Sequence, residues 1–130
     1  MTRLTNLMIA ATLLASAASH GYLYLHGYAH IPAIGPGFLA LTSVYVALAV
    51  LIAVGGPSWL RLAALVGALG SLVAFVLSRT VGLQGFVERG WQPAPHALVS
   101  VLAEATTVVL CAWSLFRSGS AVPRRRTATS

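Results

Sequence analysis

Acidic residues are almost missing from this chain. Aspartate is absent, and glutamate occurs only at Glu88 and Glu104 in 130 residues. Lysine is absent too, so all eight basic side chains are arginine. A soluble domain carries about a quarter charged residues. Here the share is 8%, against 58% hydrophobic, with a mean hydropathy of +0.85. Two carboxylates do not solvate a globular surface of this size, which excludes a water-soluble domain and indicates a lipid-facing chain. A single cysteine, Cys111, excludes an internal disulfide and a cysteine-rich metal site. Paired-carboxylate hydrolysis is implausible with one glutamate in a loop. No nucleophile–base signature, phosphate loop or dinucleotide fingerprint occurs. No enzyme is therefore predicted, unless a bound cofactor carries the chemistry. The net charge of +6 comes with no basic helical face and no interleaved aromatics, so no nucleic-acid partner is expected.

Long apolar runs are what the chain does have. A membrane span needs about 20 mainly apolar residues. Residues 4–24, 36–55, 58–82 and 95–116 each supply one. Pro36, Pro57 and Pro95 stand near starts, where a missing backbone N–H does no harm. Gly55-Gly56-Pro57 reads as a tight turn, IPAIGPG as the first loop and LQGFVERGWQPA as the third. The expected fold is all-α: a transmembrane four-helix bundle, up-down and antiparallel, with short loops. Residues 1–117 form the domain, and 118–130 read as a disordered, arginine-rich cytoplasmic tail. Small residues suggest helix seams at Ala11, Ala15 and Ala18 in the first span. In the third they fall at Ala64/Ala68 and Gly67/Ser71.

With an even number of spans both ends share a side. That side holds Arg3, Arg61, Arg117, Arg124, Arg125 and Arg126, and the other holds Arg79 and Arg89. The excess places both termini in the cytoplasm and the protein in the cell (inner) membrane. The first span also resembles a signal peptide, with an Ala-x-Ser site at 17–19. Cleavage there would expose an amino-terminal His20, a good copper chelate. The length of the apolar stretch favours the uncleaved form. Lipid is the expected surrounding, with a second copy of the chain or a larger membrane complex as candidate partners.

Within the spans, Glu104 is the most informative residue. It lies nine positions past Pro95, about 13 Å along the helix at 1.5 Å per residue. An ionised carboxylate at that depth is costly and normally has a partner. The expected partner is Arg79, near the end of the third span, with Ser78, Thr106 or Thr107 helping. The bland reading is a pair that sets helix register. The sharper one is a proton or cation site, or the polar wall of a ligand pocket.

The segment HGYLYLHGYAH carries His20, His26 and His30, and His96 opens the fourth span at the same end. His26 and His30 would share a face if the first helix continued through them. His20 and His96 would hold haem from opposite sides, or three histidines copper or zinc. The spacing matches no strong metal signature. Tyr22, Tyr24, Tyr28 and Trp91 are equally the aromatic belt expected at a membrane–water interface. Glu88, Trp91, Tyr24 and Tyr28 are candidates for an outer-face pocket.

The segments SRTVGLQGFVERGWQPAPHALVSVLAE and HGYLYLHGYAHIPAIGPGFL together resemble a family of small four-span integral membrane proteins of actinobacteria. The likeness covers most of residues 19–108. It rests on the arginine-bearing end of the third span, the G-W-x-P-x-P loop and the glutamate in the fourth. The resemblance implies the four-span architecture and no catalytic chemistry. It singles out Arg79, Glu88, Trp91, Pro93, Pro95 and Glu104. The functional expectation is a structural, accessory or ligand-binding membrane subunit with a polar pocket near the outer face. The alternatives are a haem- or copper-binding redox carrier and a small proton-coupled transporter.

Overall fold

The computed structural model describes residues 3–83 and 85–120. It is all-helical: α1 is Arg3–Leu23, α2 Ile34–Ala53, α3 Trp59–Arg79 and α4 His96–Ser120. All four are long and apolar enough to cross a membrane. Short connections make consecutive helices antiparallel. One end of the bundle carries the start of α1, the end of α4 and the α2–α3 turn, and is called here the terminal end. The other carries the 24–33 and 80–95 connections, and is called the connection end. Helix α1 packs on α2 and α4, and α4 on α3, while α2 and α3 touch much less.

The side chains are sorted the opposite way from a water-soluble bundle. On α4, Ser100, Glu104, Thr107 and Ser114 are buried, while Leu102, Val109, Trp113 and Phe116 are exposed. On α1, Ser16, Ser19 and His20 are buried and Leu4, Leu7 and Leu14 are exposed. In water that arrangement would be unstable. In lipid the outward Leu and Val meet hydrocarbon, and the inward polar groups meet each other. The bundle is therefore a four-helix membrane domain.

Packing divides it into storeys. Toward the terminal end, Ile9 and Leu13, then Leu48 and Ile52, then Leu60 and Ala64, with Cys111, form an apolar core. Tyr45 tops this core at 1% exposure. Its ring lies against Gly67, where an added Cβ would come within 3.2 Å of the ring. Its hydroxyl is 3.0 Å from Ser71 Oγ. The Gly67/Ser71 and Ala64/Ala68 seam of α3 is thus a real contact surface, with Ala64 and Ala68 both fully buried. The α1 seam is corrected. Ala11, Ala15 and Ala18 face outward, and Ala10, Ser16 and Ala17 face in. Small residues occur on both sides of this helix, and its polar face decides the rotation.

Two boundaries also move. Helix α3 stops at Arg79 rather than 82, because Gly82 takes a positive φ of 86° and its N–H caps Leu77 O at 2.8 Å. Helix α4 continues through Ser120, so residues 118–120 are helical and not part of a tail. The remainder of the expected tail, 121–130, lies outside the described residues. Arg61, counted above among the orienting charges, is buried at the terminal end and donates to Asn6 Oδ1 at 3.3 Å.

The HGY repeat holds two different devices. In the first, Gly21 sits inside α1 and lets α2 approach; a Cβ there would meet Thr42 Cγ2 at 3.2 Å. In the second, Gly27 ends the helix. Its φ of +121° lies where side chains are rarely tolerated. A wide turn over Tyr24–Tyr28 closes there, with the Ala29 N–H on Tyr24 O at 3.2 Å.

Candidate functional site

Above the Tyr45 storey lies a polar girdle centred on Glu104, which is 2% exposed. Ser16 on α1 donates its hydroxyl to Glu104 Oε1 at 2.9 Å. His20, one turn further along α1, brings Nε2 to 3.8 Å of the same oxygen. The Ser71 hydroxyl of α3 lies beside the carboxyl group and links it to Tyr45 on α2. All four helices meet at one carboxyl. The imidazole is oriented: Nδ1 is 2.9 Å from the Ser16 carbonyl, which only accepts, so Nδ1 carries a proton. Nε2 is left to gain or lose one.

The expected Arg79–Glu104 pair is not formed. Arg79 is the last residue of α3, and its side chain turns away from the girdle. Nε donates to Gly90 O at 3.1 Å, one terminal nitrogen to Gln92 O and the other to Ser78 Oγ at 2.6 Å. Its guanidinium also caps the Phe75 ring, 4.1 Å from the centroid. A guanidinium at a helix end reaches the polar interface more cheaply than the bilayer interior. The carboxyl is instead answered by α1. Thr107 does not reach it either: its hydroxyl lies 2.7 Å from Thr12 Oγ1, and Thr106 turns back to Leu102 O.

Arg79 in this position anchors the 80–95 connection over the bundle end. Glu88 N–H bonds to Ser78 O at 2.9 Å, and Leu83 and Phe86 exchange backbone hydrogen bonds. The Tyr28 hydroxyl donates to Glu88 Oε1 at 2.6 Å, tying this connection to the 24–33 one. Beneath the cap, between α2 and α3, lies an open cleft of about 90 Å³. Phe38, Phe75, Phe86 and Tyr28 wall it, His20 forms its floor, and Arg79 and Glu88 stand among its lining.

Of the four pocket candidates, Glu88 and Tyr28 line this cleft. Trp91 stands behind it, stacked on Phe75 at 5.6 Å. Tyr24 is half-buried in the wide turn and contributes nothing to the lining. The histidines do not gather. His20 is inside, edge-on to Phe38 at 4.9 Å. His26 and His96 stack on Tyr22, with centroids at 3.9 and 4.2 Å. His30 is exposed beyond the helix break at Gly27, so it shares no helical face with His26. Among the described residues no three His, Cys, Asp or Glu side chains converge as metal ligands, which corrects the three-histidine copper or zinc grouping. Ser16, Ser71 and Tyr45 are the site residues that sequence reasoning missed. Each is a polar group at mid-span, and Ser16 stands one helical turn before His20.

Fold and site together define a small four-helix membrane protein with a capped, aromatic-walled cleft above a buried His–Glu pair. Comparison with family models, with curated proteins and with solved structures finds no match for this chain.

Proposed function

We propose that this is a multi-pass protein of the cell membrane, with both termini cytoplasmic, that binds a small hydrophobic molecule in its outer cleft. The cleft is the observation that carries the reading. Its walls are mostly apolar, with a few convergent polar groups, as small-molecule sites require. The arginine excess at the terminal end supports the orientation, and the looser α2–α3 contact supports access from the lipid side. Nothing in the girdle suits covalent catalysis, so the reading is of a binding subunit.

Ala74 lines the cleft, and its neighbour Val73 faces lipid. In nanodiscs, tert-butylbenzene is expected to slow maleimide labelling of Ala74→Cys in proportion to occupancy, and to leave Val73→Cys unchanged. Labelling of Ala74→Cys that ignores the probe at saturation contradicts the reading.

A further inference from the structure

The chain has two carboxyl side chains, and one lines the cleft while the other approaches a histidine that does. Glu88 lines it, and Glu104, outside the lining, lies 3.8 Å from Nε2 of His20, which lines it. The rings of Tyr28, Phe38, Phe75 and Phe86 line the same cleft. Aromatic faces attract cations, most strongly where water is excluded. One of these rings, Phe75, already carries the Arg79 guanidinium. The arginine itself is engaged by Ser78, Gly90 and Gln92.

We propose that the cleft takes a lipophilic organic cation, of the aromatic quaternary ammonium class, in exchange for the proton held by the His20–Glu104 pair. This rests on the cleft reading above and names its ligand class.

The groups facing the pair account for the exchange. Helix α1 brings Ser16 besides His20 itself, α2 brings Tyr45, α3 brings Ser71 and α4 brings Glu104. Among the described residues the only ion-pairing partner of Glu104 is His20. The other charged groups of the cleft, Arg79 and Glu88, belong to the cap, where Tyr28 holds Glu88. With one proton the pair is neutral overall, whether that proton sits on His20 Nε2 or on the carboxyl. Without it the pair carries one uncompensated negative charge in a dry interior, which is costly. A cation seated in the cleft compensates that charge, and a neutral molecule of the same shape does not. Charge balances throughout: one cation enters, one proton leaves through the mouth to water, and the net charge of the site is unchanged.

The test uses three probes on the full chain in nanodiscs: phenyltrimethylammonium, its uncharged isostere tert-butylbenzene, and benzenesulfonate. Binding is followed by calorimetry in buffers of different ionisation enthalpy, which counts protons. The cation is expected to bind more tightly than the other two and to release close to one proton per molecule. Its affinity should rise about tenfold per pH unit while the pair is protonated, as linkage of one proton requires. Glu104→Gln should abolish the proton release and the pH dependence while tert-butylbenzene still binds. Glu88→Gln should weaken the cation and keep the release. Should the Glu104 variant fail to fold, the proton count of the wild type decides alone. Cation binding without proton release, or tighter binding of benzenesulfonate, overturns the proposal. Binding of tert-butylbenzene without binding of the cation overturns it and leaves the cleft reading standing. If no probe binds, both fall.

Discussion

Tyr45→Ala is expected to destabilise the bundle by about 3 kcal/mol, the low end of the roughly 3–5 kcal/mol for truncating a buried aromatic. The low end applies because the helices separate into lipid, so part of the transfer term is lost and the cavity term dominates. Tyr45 is the largest of the fully buried side chains. It spans the sparse α2–α3 contact, with its ring on Gly67 and its hydroxyl on Ser71. Removing it leaves a void between two helices that have little else in common at that depth. Tyr45→Phe keeps the ring and loses one hydrogen bond, for about 1 kcal/mol. Reversible unfolding in mixed micelles on titration with a denaturing detergent measures both. Equal stabilities for the alanine and phenylalanine variants would show that the ring does not hold α2 to α3.

Glu104→Lys should cost more, about 3–5 kcal/mol, the penalty for an uncompensated buried charge. The ammonium would face His20 and two serine hydroxyls, with no carboxylate in reach among the described groups. Glu104→Gln keeps the shape and an oxygen to accept from Ser16, so its cost should stay below about 1.5 kcal/mol. The contrast is diagnostic of a buried girdle. If lysine and glutamine variants unfold alike, residue 104 faces an aqueous path instead.

The architecture was legible because composition is decisive in lipid. Four apolar runs, three of them with proline-marked starts, became α1 to α4, with ends shifted by a few residues. Those small shifts decided the site. Taking the third helix to 82 puts Arg79 inside the membrane beside Glu104; ending it at 79 frees the side chain to clasp the loop. Helix rotation was harder to read, since lipid-facing and core-facing positions are both apolar and Leu or Ala carries little information. The polar residues do carry it. Ser16 and His20 on α1, and Ser100, Glu104 and Thr107 on α4, recur at three- and four-residue spacing and mark the inward faces. Read that way, Ser16 and His20 are natural partners for Glu104. The histidine segment misled for a different reason. A continuous helix would put His26 and His30 on one face, but Gly27, inside the second HGY unit, breaks the helix and sends them apart. The aromatic walls of the cleft, from α2, α3 and two connections, come together only through tertiary packing.

The most direct test is a pair of double-mutant cycles on unfolding stability. One combines Ser16→Ala with Glu104→Ala, and the other combines Arg79→Met with Glu104→Ala. A carboxyl answered by the first helix predicts a coupling of at least about 0.5 kcal/mol in the first cycle, typical of contacting polar groups in membrane helices. It predicts none in the second. Coupling confined to the Arg79 cycle would contradict the site described here.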